Sequence, residues 1–140
     1  MKKIFLAVLC FFPLTAKCEV VTEVLCFSLP EKKSVSFELR TYFDSASKWA
    51  GGFVKYSKSN KPISLVVEEI QSEEIDSQSP EQTTTTWVEV SGGEVAGEYE
   101  MISQGGSVLS MVYTKKSNGK KFAFENNVSV ESTLENGCKW

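Results

Sequence analysis

Apolar and polar residues alternate with a period of two along nearly all of the chain after residue 19. The clearest run places Val35, Phe37, Leu39, Thr41 and Phe43 on one face of an extended segment and Ser36, Glu38, Arg40 and Tyr42 on the other, which is the pattern of a half-buried strand. The same reading predicts strands over 20–28, 48–58, 63–70, 84–90, 94–103, 107–114 and 121–126. The consecutive threonines Thr83, Thr84, Thr85 and Thr86 favour strand over helix because branching at Cβ stiffens the side chain. Turn-forming clusters separate the segments: Leu29-Pro30-Glu31, Asp44-Ser45-Ala46, Ser59-Asn60-Lys61-Pro62, Ser91-Gly92-Gly93, Gln104-Gly105-Gly106 and Ser117-Asn118-Gly119. Of these, Asn118-Gly119 is the strongest signal for a two-residue hairpin turn, which requires positive φ at both central residues.

Strands joined by short links make an antiparallel meander, and a sheet of that length with one apolar face has two open edges. Closure into a barrel, or folding into a sandwich, removes or protects them. The predicted fold is therefore all-β, an antiparallel meander of about eight strands forming a small barrel or sandwich.

Residues 1–18 break the pattern. Lys2 and Lys3 precede an apolar run from Ile4 to Phe12, Pro13 ends it, and Thr15, Ala16, Lys17 and Cys18 follow. This reads as a cleaved signal peptide, too short for a permanent bilayer span, and it predicts a periplasmic or secreted protein. Cleavage after Cys18 places Ala16 and Cys18 at the two small-residue positions; cleavage after Ala16 would leave Leu14 at one of them. Lys17 argues against acylation of Cys18, since a small residue should precede a lipidated cysteine. The expected organisation is a leader over 1–18 and one β domain over 19–140, with no second apolar run long enough to enter a membrane stably.

That cleavage leaves two cysteines, Cys26 and Cys138, an even number suited to an oxidising compartment. Cys26 stands near the end of the first strand, and Cys138 lies in a tail after the eighth that can reach back if the sheet closes. A Cys26–Cys138 disulfide is expected.

Loss of Lys2, Lys3 and Lys17 from the 15 basic residues leaves 12 against 18 acidic ones, a formal net charge of −6 for the mature chain. This balance disfavours nucleic acid and anionic membrane surfaces as partners. The chain contains no histidine, which excludes Ser-His-Asp and Cys-His catalysis and removes the commonest zinc and copper ligand. It has no phosphate-binding loop and no EF-hand loop. No catalytic residues, metal or cofactor are assigned.

Three groups of residues are candidates for recognition. Glu73, Glu74 and Asp76 lie in the longest link, with Glu68, Glu69 and Glu81 nearby, and would suit a basic partner. Carboxylate pairs could in principle cleave a glycoside, but this segment reads as uniformly solvated, whereas catalysis needs unequal environments for the two acids. Lys115, Lys116, Lys120 and Lys121 flank another turn and form a basic finger that could enter an acidic cleft of an enzyme. The aromatics Trp49, Phe53, Trp87 and Tyr99 are expected inside the barrel, as packing or as the lining of a pocket for an apolar ligand. Gly51-Gly52 marks a bend or a close approach to the backbone.

The sequence thus predicts an exported, non-catalytic protein-binding module, such as a periplasmic inhibitor or immunity protein that blocks a wall-degrading or toxic enzyme. The alternative is a small barrel-type carrier of an apolar ligand. The size and predicted architecture are similar to those of small bacterial lysozyme inhibitors, an analogy of fold and size with no motif matched.

Overall fold

The computed structural model describes residues 19–140, so the predicted leader over 1–18 lies outside the described residues. Eight strands follow in chain order: β1 (Val20–Leu29), β2 (Lys32–Asp44), β3 (Trp49–Tyr56), β4 (Ile63–Glu73), β5 (Gln82–Ser91), β6 (Glu94–Gln104), β7 (Ser107–Lys115) and β8 (Lys121–Asn126). Each pairs antiparallel with its neighbour, and β8 pairs with β1 to close a barrel. The expected all-β meander is present, and it is a barrel.

The hairpin links are of two kinds. Gly92-Gly93 and Gly105-Gly106 all have positive φ, 62° and 84° in the first pair and 57° and 81° in the second, as two-residue hairpin turns demand. The link at Asn118-Gly119 is longer than its sequence suggests. Only Gly119 is left-handed there, and the turn is held by Lys115 N donating to Lys120 O (2.9 Å) and Gly119 N donating to Lys115 O (2.8 Å).

β4 and β5 both extend beyond the apolar alternation that predicts them. Ser72 and Glu73 continue to pair with Thr83 and Gln82 although the ribbon there is largely exposed. Backbone hydrogen bonding between the strands sustains the ladder without burial, so hydrophobic pattern is blind to it.

Closure is narrow. β8 meets β1 through Phe27↔Asn126 and Ser28↔Glu125, and β3 meets β4 only through Gly51↔Val66 to Val54↔Ile63. The core fills the closed section: Phe27, Phe37, Leu39, Val54, Leu65, Trp87, Tyr99, Met101, Met111 and Phe124 form one buried cluster. Phe37 stands at its centre, with the Phe124 ring 4.8 Å away and those of Phe27, Tyr56 and Tyr99 at 5.2, 5.5 and 5.6 Å.

The tail after β8 crosses the outside of the barrel and explains a departure from the expected half-buried β2. Ser36 and Glu38, on the outer face, are as buried as Phe37 and Leu39 on the inner one. Two further short strands, β9 (Ser132–Thr133) and β10 (Gly137–Cys138), pair with each other and lie against β1 and β2. The expected disulfide joins Cys26 to Cys138.

Beside it, the Glu38 carboxylate accepts from Arg40 Nε and from the Cys138 backbone N–H, both at 3.0 Å, while Arg40 Nη1 donates to Leu134 O at 3.1 Å. Gly137 is left-handed with φ 70°, and a Cβ there would overlap the Glu38 carboxylate. A side chain at 137 would be doubly excluded.

Candidate functional site

In an up-and-down barrel the links alternate between ends. Those after β1, β3, β5 and β7 lie at one end and those after β2, β4 and β6 at the other. The two charged groups therefore fall at opposite ends of the barrel. Lys115, Lys116, Lys120 and Lys121 share their end with exposed Lys32, Lys58 and Lys61, against only Glu31 and Glu94 in those links. Glu73, Glu74 and Asp76 lie at the far end, with Asp44 and Glu81 and a single lysine, Lys48. One flat contact cannot engage both groups; each end presents its own sign.

The acidic link is an ordered turn. The Asp76 carboxylate accepts from the backbone N–H groups of Gln78 and Ser79, both at 2.8 Å, and from Ser79 Oγ at 2.7 Å. These bonds, the Ser79 hydroxyl foremost, hold the Asp76 carboxyl below the usual carboxylate range. Gln104 Nε2 donates to Pro80 O at 2.9 Å and ties the link to the neighbouring hairpin.

The lysine finger is rooted in the core. Lys116 N donates to Ala96 O at 3.1 Å, pinning the finger to β6, and Lys120 Nζ sits 5.0 Å from the Phe122 ring centroid. Phe122 stacks on Tyr113, and Tyr113 packs 4.6 Å from Tyr99, which is fully buried. Tyr113 passes directly over Gly97, where any Cβ would collide with its ring.

Sequence reading missed the polar cluster beneath this finger. Tyr56 and Tyr99 share a hydroxyl hydrogen bond of 3.0 Å, and Tyr113 donates to the carboxylate of Glu89, which is only 8% exposed. The signal was present: Glu89 is in phase with Trp87 and Thr85, so the alternation that buries Trp87 also directs Glu89 inward.

Burial raises the Tyr99 hydroxyl far above the ordinary tyrosine range, with the Tyr56 hydroxyl adding to it. Burial and then the Glu89 charge push Tyr113 up to about 12, and burial also raises Tyr56 against a smaller opposing effect of its bond to Tyr99. A folded-state pKa above the unfolded value makes the native state hold its proton longer, so this contribution is intact below pH ~10 and is lost as pH rises beyond it. Fully buried Tyr99 alone should cost about 1.4 kcal/mol of stability per pH unit above roughly 10. Alkaline titration should show phenolate absorbance of the buried tyrosines appearing together with loss of near-ultraviolet circular dichroism. Tyrosines that ionise fully while the fold persists would contradict it.

The four candidate aromatics do not share a site. Trp87 and Tyr99 are packed in the core, as expected. Trp49 and Phe53 are on the outer wall, a correction to their expected inward placement. Val54 occupies the inner face of β3, so residues 49, 51 and 53 face outward: Trp49 is 58% exposed with its ring over Gly51, and Phe53 lies under the Arg40 guanidinium at 5.6 Å. Lys55, in phase with Trp49 and Phe53, carried that signal. Gly52 is a close approach of strands, since a Cβ there would overlap the Arg40 carbonyl.

Among the described residues, no group of three or more His, Cys, Asp or Glu side chains is placed to hold a metal ion. The molecule belongs to the class of small, disulfide-tied, closed antiparallel barrels with a filled core and oppositely charged ends. Comparison with protein-family models, curated proteins and solved structures finds no match to this chain.

Proposed function

We propose that the mature protein is an exported, non-catalytic binding module, a periplasmic inhibitor or immunity protein that blocks a wall-degrading or toxic enzyme. The observation that carries this reading is the lysine finger 115–121, projecting from the basic end of an otherwise acidic barrel and anchored through Phe122, Tyr113 and Tyr99 into the core. Glycan-cleaving enzymes hold paired carboxylates in a cleft. A preorganised finger bearing lysines on both sides of its turn complements such a cleft and loses little conformational entropy on entering it. Charge segregation along the barrel would orient the molecule during approach.

The disulfide suits an oxidising compartment, in keeping with an exported protein. The barrel wall supports a role outside the bilayer: its interior is apolar, while Glu98, Glu100 and Glu125 are exposed on the outside, the reverse of a transmembrane barrel.

The mature protein should be used as bait for periplasmic extract and for culture fluid of competing bacteria, and the captured enzyme then assayed with and without it. Reversing charge at Lys115, Lys116, Lys120 and Lys121 should slow association about tenfold or more at low salt and relieve inhibition. Thermal stability should hold, because all four side chains are exposed. Equal inhibition by the reversed variant would remove the finger from the interface.

A further inference from the structure

The end of the barrel away from the lysine finger carries an unpaired strand edge. β4 is bonded to β5 along residues 64–73 but to β3 only along 63–66. Among the described residues, the β3-facing side of the backbone over 67–73 therefore has no strand partner. Residues 68–73 are exposed on both faces. Ile70 lies opposite Thr85 on the inner side yet is 54% exposed, because the sheet opens there, and Val66 and Trp49 are exposed on the outer side around Gly51.

An open edge is a template for another strand, and proteins commonly blunt one with lysine, proline or a bulge. This edge has a bulge between Val67 and Glu69, but no lysine and no proline in β4. It carries Glu68, Glu69 and Glu73 on the strand, with Glu74 and Asp76 just beyond. These carboxylates oppose pairing with a second copy, since like charges would stand across the new ladder, and favour a basic strand.

The edge is also held in place. Ser72 Oγ and Thr83 Oγ1 share a hydrogen bond of 3.2 Å, Gln82 Nε2 donates to Glu73 at 3.4 Å, and the Asp76 turn fixes the link that follows. An incoming segment would not have to order it.

We infer that the free edge of β4 over 67–73 is a strand-addition site for an extended polypeptide segment of another protein that alternates lysine or arginine with apolar residues. Main-chain hydrogen bonds to the edge supply the pairing. The basic side chains meet Glu68, Glu69 and Glu73, and the apolar ones cover Val66, Ile70 and Trp49. The site is independent of the lysine finger, so either proposal can fail without the other.

A synthetic lysine-valine alternating peptide, titrated into the full mature protein and followed by amide hydrogen exchange, tests it. Binding should protect amides within 67–73, and the triple variant E68K, E69K and E73K should bind the peptide about tenfold more weakly. A glutamate-valine peptide should not bind the unaltered protein, and N-methylation along the pairing edge of the lysine peptide should abolish its binding. No binding, binding without protection at 67–73, equal binding by the N-methylated peptide, or self-association of the protein through this edge in sedimentation would each overturn the inference.

Discussion

Replacing Cys26 and Cys138 together with alanine should lower unfolding free energy by about 4 to 5 kcal/mol, the chain-entropy value for a loop of this size, and the melting temperature by on the order of 15 °C. The bond spans a sequence separation of 112 and joins the first strand to the last residues of the tail. It therefore restrains almost the whole described chain when unfolded. The native state depends on it as well: barrel closure rests on two residue pairs between β1 and β8, and the tail carries the disulfide across that seam onto β1 and β2.

Without the bond, the Glu38 clasp must hold the tail alone. Its carboxylate, 4% exposed, is neutralised by Arg40 at 2.9 Å and bonded to the Cys138 backbone. If the tail detaches, that carboxylate regains water and loses one of its two bonding groups. Hydrogen exchange should then report faster opening in 132–138 and along the outer face of β2 before any change near Trp87. Equilibrium denaturation of the double variant checks the magnitude. A melting temperature within about 3 °C of the unaltered protein would mean that loop closure contributes little and that the clasp suffices.

How much of this was legible depended on which force sets each position. Strand positions in β2, β5 and β6 follow burial, so the alternation around Phe37, Trp87 and Tyr99 located them. The extensions of β4 and β5 follow backbone pairing in solvent and left no apolar signature. Trp49 and Phe53 misled because their size suggested burial, whereas strand phase, set by Val54 within and Lys55 without, placed them outside.

The two charged groups were readable as groups. Their separation to opposite ends was implicit in the meander, since the acidic link follows an even-numbered strand and the lysine finger an odd-numbered one. The Tyr56, Tyr99, Tyr113 and Glu89 cluster was hidden for a different reason. Its members come from β3, β5, β6 and β7, and only the closed barrel brings them together.

Phe37→Ala should lower stability by about 3 to 5 kcal/mol, with the denaturant slope unchanged. Four aromatic rings surround Phe37 with centroids between 4.8 and 5.6 Å, and none of its own surface is exposed. Removing the ring leaves a cavity that rings fixed on β1, β3, β6 and β8 cannot easily close, because each is held by its own strand. Phe37→Leu keeps much of the volume and should cost less than about 1.5 kcal/mol, which separates packing loss from any general intolerance of the site.

The consequence should reach the lysine end, since Tyr99 leans on Phe37 and Tyr113 on Tyr99. At temperatures where Phe37→Ala is still folded, amides at the base of the finger should exchange faster than in Phe37→Leu. The same pair of variants bears on the carrier alternative. A barrel with spare interior volume would absorb the truncation and lose about 1 kcal/mol or less, so a small loss would reopen ligand carriage. A loss in the full range would mean that the interior serves to hold the wall and the finger rigid.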